Sequence, residues 1–148
     1  ALSSAASDVY KRQRIKEACL LHHEKCDGTG YPFGLKSDHI PAVAKIIAIA
    51  DVYDAMTSAR VYRGALCPFE VIDTMYKDAF TKFEPEYILP FLKNVASSYI
   101  NNDVRLSDGR IGKVVLINEN ALSLPIVQCE DEFIDLSKTR ELTVSAIL

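Results

Sequence analysis

The apolar positions of this chain follow two regimes. Up to about residue 101 they recur at helical spacing. Beyond it they come in short runs separated by turn residues. Ile15, Ala18, Cys19 and His22 recur at i, i+3, i+4 and i+7, so Arg14 to His23 reads as the end of a helix. Glu24 to Ile40 holds three glycines and a proline and reads as an ordered loop. Pro41 suits the first turn of the next helix, whose stripe is Val43, Ile46, Ile47, Ala50, Asp51 and Asp54. Thr57 to Ala65 is a connector marked by Ser58, Arg60 and Arg63. Pro68 starts a further helix with Phe69, Ile72, Met75 and Tyr76 on one face. Glu84-Pro85-Glu86 opens another, carrying Ile88, Leu89, Leu92, Val95, Ala96 and Tyr99. Pro90 in its first turns argues for a start a few residues later.

After Asn101-Asn102 the segments Val104–Leu106, Ile111–Ile117, Pro125–Cys129 and Phe133–Leu136 are short and rich in strand formers. Ser107-Asp108-Gly109 and Asn118-Glu119-Asn120 separate them, and Asp-Gly is a strong hairpin signal. Leu142 to Leu148 offers a last strand. The expected fold is mainly α over residues 14–101, with a small C-terminal antiparallel β appendage over 102–148. No repeat or low-complexity tract interrupts it. Residues 1–13, ALSSAASDVYKRQ, are small and polar and then unpatterned. No apolar stretch of about 7–15 residues follows a basic start, so this is not a signal peptide. DVYKRQ resembles translated sequencing-adapter sequence. The segment is read as non-native or disordered, with the native chain expected to begin near Arg14, partway through a gene.

Composition adds bounds. An apolar content of 49% in 148 residues suffices for a buried core. A net charge of -3 provides no electrostatic footprint for bulk nucleic acid. In the appendage Arg105, Arg110, Lys113, Lys138 and Arg140 are offset by acidic neighbours, and Glu130-Asp131-Glu132 reads as a solvated turn. Cys19, Cys26, Cys67 and Cys129 form no CxxC and read as reduced thiols of a cytoplasmic protein. The longest apolar run, Ile46 to Ala50, is far short of the ~20 residues of a membrane span.

The candidate chemistry lies in the run His22-His23-Glu24-Lys25-Cys26-Asp27-Gly28-Thr29-Gly30-Tyr31-Pro32. Two of the three histidines stand there, and imidazole is the commonest side-chain metal ligand. Glycines beside them allow close approach of backbone to a ligand. Asp51 sits on the apolar stripe of its helix, where an ionised carboxylate is costly unless a cation or hydrogen bonds compensate it. A metal held by His22, His23 and Asp51 would do so, and this donor set suits Fe, Mn, Zn or Ni. Singly, each residue has a plainer reading. Asp51 can face water or pair with Arg60 or Arg63, and the histidines can be a solvated helix-end pair. Tyr31 can cap a core, and Arg60 or Arg63 can be salt-bridged to Asp54 or Glu70. Glu24 and Asp27 read as loop braces, Asp54 as a helix-end partner and His39 as solvated.

Together, His-His-Glu-x-x-Asp-Gly-x-Gly-Tyr-Pro and the later Ile-Ile-Ala-Ile-Ala-Asp-Val-Tyr-Asp-Ala-Met-Thr-Ser-x-Arg-x-Tyr-Arg resemble the second half of an HD-GYP domain. This is a branch of the HD-domain metal phosphohydrolases, and the resemblance spans roughly Ile15 to Leu92. It implies a partial HD helical bundle and hydrolysis of cyclic di-GMP by metal-activated water, to a linear dinucleotide and often to GMP. It implies two or three divalent ions in the intact parent, commonly iron or manganese. His22, His23 and Asp51 match ligand positions. Gly30, Tyr31 and Pro32 match the substrate loop, and Arg60 and Arg63 match phosphate-binding arginines, a role that suits the guanidinium fork. The β appendage resembles an extension found after some HD-GYP domains.

The family's first half supplies a glutamate or histidine ligand, a His-Asp pair, a lysine and a further histidine. None lies in this chain, where His39 follows Asp38 in the reverse order. The expectation is a fragment of a cytoplasmic bacterial signalling phosphodiesterase, not competent alone, whose partners are the N-terminal HD half and an upstream sensory or receiver domain. Uncovered helices would expose an apolar patch. The alternative is a degenerate module that binds a dinucleotide or a signalling partner without turnover.

Overall fold

The computed structural model describes residues 2–59, 64–139 and 141–148. Four helices precede a five-stranded antiparallel sheet. The expected order of helices then strands holds, with a larger sheet than a small appendage suggests. The chain divides into two compact units, residues 1–52 with 78–88 and residues 53–77 with 89–148. Residues 53–77 and 89–101 group with the sheet in the second unit.

The first unit begins with α1, Leu2–Leu21, which runs through the segment expected to lack order. Its local chemistry is compatible with a helix. Arg12 pairs with Asp8 at 3.0 Å, and Gln13 donates to Glu17 at 3.0 Å, both four residues apart. Its burial differs from the expected stripe: Ala18 and Leu21 are buried, whereas Ile15 and Cys19 are exposed. After Leu21 the chain enters a loop braced by several backbone bonds. Cys26 N–H donates to the Lys82 carbonyl at 2.9 Å, Ser37 N–H to Cys26 at 3.1 Å, and Asp27 bridges Lys36. One 3-10 turn, Ser37–His39, leads into α2, Ala42–Thr57. Leu21, Ile40 and Ala44 form a buried cluster against which Leu35 packs.

On α2 the buried residues are Ala44, Ala48 and Ile49. Ile46 is 50% exposed and Ile47 39%. The stripe read as core-facing is thus the outward one, and Asp51 on it is exposed. The helix is apolar nearly all round, so periodicity alone could not say which face would be covered. Ile15 of α1 is exposed as well, and it lines one apolar groove with Val43 and Ile47 of α2.

In the second unit, α3, Pro68–Asp78, buries Phe69, Val71, Ile72 and Met75, while Tyr76 is partly exposed. The helix α4, Pro85–Ser98, buries Leu92 and Ala96 within this unit. It starts at Pro85 and contains Pro90, so the interior proline does not delay the helix start. The sheet order is β4-β3-β2-β1-β5. The strands are β1 Asp103–Leu106, β2 Ile111–Asn118, β3 Ala121–Cys129, β4 Glu132–Asp135 and β5 Val144–Ile147. All five match the strand readings within a few residues. Val104, Leu106, Gly112, Val114, Leu122, Val127, Cys129, Ile134 and Val144 are buried along the strands. Gly112 is required by close packing, since a Cβ there would lie 2.6 Å from Cys129 Sγ and from the Gln128 carbonyl. Gly109 turns the β1–β2 hairpin at φ 93°. Among the described residues no helix is long and apolar enough to cross a membrane.

Candidate metal centre

The end of α1 sets the first two site residues. His22 N–H still donates to the Ala18 carbonyl at 3.1 Å, but the helix stops at Leu21, so His22 and His23 occupy the turn that leaves it. Nδ1 of His22 lies 2.8 Å from the Cys19 carbonyl. A carbonyl can only accept, so Nδ1 carries the proton and Nε2 keeps its lone pair for a ligand. The two imidazoles lie 4.0 Å apart between ring centroids. Asp51 extends from α2, its Oδ2 3.8 Å from His23 Nδ1. One donor atom from each of His22, His23 and Asp51 lies within 4.8 Å of the others. This is the one such group of three among the described residues. Two imidazoles and a carboxylate on a half-exposed surface fit a divalent cation of borderline softness.

The loop that follows returns to the same place. Tyr31 N–H donates to the His23 carbonyl at 3.3 Å, and the Tyr31 ring stacks on His23 at 4.7 Å between centroids, 28° between planes. Tyr31 is 60% exposed. With one face on His23, its other face is open to a planar partner. Gly30 makes this return possible: a Cβ there would fall against Lys25 N and 2.5 Å from Glu24 Cα. Pro32 follows through a cis peptide.

The brace of the loop is Glu24, which is buried at 4% exposure, the sole buried charged residue among the described ones. Its Oε1 accepts from Phe33 N–H at 2.7 Å and Gly34 N–H at 3.1 Å, and its Oε2 from Leu35 N–H at 2.9 Å. Asp27 accepts from Thr29 N–H and hydroxyl at 2.9 and 2.6 Å, which holds its carboxyl below the usual range. Both therefore hold the loop, as the sequence suggested. His39 is exposed and pairs with Asp38 at 2.8 Å. Asp54 accepts from the Ser58 hydroxyl at 3.4 Å, a helix-end contact.

One half-buried polar cluster has no counterpart in the motif reading. Lys45 Nζ reaches Glu84 at 2.8 Å and Ser37 Oγ at 2.7 Å, and Ser37 in turn donates to Glu84 at 2.5 Å. Lys45 and then Ser37 hold the Glu84 carboxyl below its usual range. Burial pushes the neighbouring Cys26 thiol up. The available signal is a lysine within the apolar first half of α2, since such a residue needs a partner.

Asp51 is exposed, the water-facing one of its two sequence readings. Its proximity to His23, not burial, is what marks it. Tyr31 does not cap a core. Arg60 and Arg63 lie outside the described residues.

A family model for the HD domain matches residues 3–87. The chain belongs to the HD domain family. With Gly30-Tyr31-Pro32 beside the histidine pair, it is an HD domain of the HD-GYP type. Similar proteins include a cyclic di-GMP phosphodiesterase of Pseudomonas aeruginosa, 39% identical over 114 residues, which are 77% of this chain and 27% of that protein. The cyclic di-GMP phosphodiesterase PdeB of Borreliella burgdorferi is 33% identical over 108 residues, 73% of this chain and 28% of the relative. A 3'3'-cGAMP-specific phosphodiesterase of Vibrio cholerae is 52% identical over 67 residues, 45% of this chain and 16% of the relative. The HD-type chain thus spans about a quarter of the length of the longest-matched relatives.

Proposed function

We propose that this chain is part of a cyclic di-GMP phosphodiesterase. In this reading His22, His23 and Asp51 are metal ligands, Gly30, Tyr31 and Pro32 form the substrate loop, and Arg60 and Arg63 bind phosphate. Residues 14–101 are the C-terminal part of the HD-GYP helical bundle, and 102–148 an appended β module. The observation that carries the reading is the convergence of two imidazoles and a carboxylate within 4.8 Å, with Tyr31 stacked on one of the imidazoles.

HD-domain phosphohydrolases generally depend on divalent metals, and the donors here suit iron or manganese. A divalent ion in this place supplies Lewis-acid polarisation and a water of lowered pKa. The rest falls to the chain itself. Cys19 fixes the tautomer of His22 by accepting from Nδ1. Asp51 brings negative charge beside His23. The open face of Tyr31 offers a stacking surface for a guanine base, and base–aromatic stacking contributes about 1–3 kcal/mol. Arg60 and Arg63 offer forked donors for the phosphates.

Three protein ligands hold one ion. A bridged centre of two or three needs a further carboxylate, and no His-Asp dipeptide occurs among these 148 residues. The chain alone is therefore proposed to bind metal without turning over substrate. Its exposed α1 and α2 face is the docking ground for the remainder of the HD fold. The parent is proposed to act in the cytoplasm under an upstream sensory or receiver domain. The same shortage of ligands favours, as a second reading, a module that binds a dinucleotide or a signalling partner without hydrolysis.

The test is made in the intact parent. Asp51→Ala is expected to abolish both metal content and cyclic di-GMP hydrolysis, while Arg63→Ala mainly raises the KM. Full activity in Asp51→Ala would overturn the ligand assignment. Cyclic dinucleotide binding that is indifferent to His22→Ala, with no turnover in the wild type, would favour the second reading.

A further inference from the structure

We propose that Glu24 is a positioning residue that sets the stacking surface of Tyr31 at a fixed distance from His22, His23 and Asp51. The proposal rests on the functional reading above for what is stacked there, but its geometric content stands on the loop alone. Glu24 directly follows His23, and its carboxylate faces inward rather than toward the open donor cluster. Both oxygens are already occupied by three consecutive backbone N–H groups, those of Phe33, Gly34 and Leu35. It is not among the converging donors His22, His23 and Asp51. Charge-assisted bonds of this kind are short and strong, and breaking them leaves a buried carboxylate without its partners.

The three donors lie just past Tyr31-Pro32, so the carboxylate closes the loop from behind. From the front, Tyr31 N–H is tied to the His23 carbonyl, and its ring lies on the His23 ring. Leu35, whose N–H Glu24 holds, packs on Leu21, Ile40 and Ala44. Glu24 therefore ties the far end of the loop, beyond Tyr31, to one buried cluster, while His22 keeps its own backbone bond to Ala18 of α1. Phe33, 63% exposed, is presented by the same clamp.

The test compares the wild type with Glu24→Gln and Glu24→Ala in the full chain. Glutamine keeps the size and an acceptor oxygen but points an amide donor at N–H groups. Nuclear Overhauser contacts between the His23 and Tyr31 rings are expected to weaken in Glu24→Gln and vanish in Glu24→Ala. Amide exchange at Phe33, Gly34 and Leu35 should rise in the same order. Manganese affinity by calorimetry should fall by no more than about tenfold, the lower end of what outer partners of a metal site contribute, because no ligand is lost. In the parent, Glu24→Gln should raise KM for cyclic di-GMP about tenfold or more with a smaller change in kcat, as expected when a stacking group is displaced. Unchanged ring contacts in both variants would overturn the proposal. So would global unfolding of both variants, or a loss of manganese affinity matching the loss of ring contacts, since either marks Glu24 as merely structural. If the wild-type parent neither binds nor hydrolyses the dinucleotide, the functional reading fails, while the ring contacts still decide the role of Glu24.

Discussion

At the scale of single residues, the site depends on close backbone approach as much as on ligands. Gly30 has no room for a Cβ beside Lys25 and Glu24. Gly30→Ala is expected to cost about 1–3 kcal/mol, as overpacking does, read as a lower urea midpoint. It should also separate Tyr31 from His23. Gly109→Ala makes an informative comparison. Nothing lies within 4 Å of its Cβ position, so only the left-handed backbone is strained, at about 1 kcal/mol, and the Tyr31–His23 contact should be untouched. The histidine pair, the glycines and Asp51 were all legible as a pattern, because residue identity and spacing carry them. The Cys19 carbonyl that orients His22 was not legible, since any residue type supplies a carbonyl. Glu24 and Asp27 were readable as braces because acidic residues inside a glycine-rich loop commonly accept backbone N–H groups. The closeness of the three N–H donors of Glu24 required the folded loop.

At the scale of elements, α2 decides what could be read and what could not. Its helical character and its start after Pro41 follow from the sequence, yet its inward face did not, because Ile46, Ile47, Ile49, Ala48 and Ala50 surround the helix. A test separates the faces. Ile49→Ala, at 2% exposure, should cost about 2–5 kcal/mol, whereas Ile46→Lys, at 50% exposure, should change stability by about 0.5 kcal/mol or less. Equal losses by urea denaturation would mean that both faces are covered. The strands were far easier to place, since Asp-Gly and Asn-rich turns punctuate them and alternation is a strong local signal. α2 also anchors the loop through Lys45. Glu84 has a folded pKa below its unfolded value of about 4.3, so its contribution is complete above that pH. That contribution is lost as pH falls through the depressed folded value. Glu84→Gln should therefore be less stable than the wild type at pH 7, and the gap should narrow by pH 3. A gap that widens in acid would contradict the assigned cause.

At the scale of the whole molecule, the chain pairs a ligand-bearing unit, residues 1–52 with 78–88, with a sheet-bearing unit. His22, His23, Asp51 and the Gly30-Tyr31-Pro32 loop all fall in the first. The division of labour was foreseen as helices before strands, but not the grouping of residues 53–77 with the sheet, which depends on long-range contacts that no local pattern encodes. The metal centre is the central claim, and titration of the full 148-residue chain with Mn²⁺ tests it most directly. One ion per chain is expected, with affinity reduced at least tenfold by His22→Ala and by Asp51→Ala, as removal of a ligand should do to a site where even outer partners matter about 10–100-fold. Binding that is unchanged in both variants would contradict it.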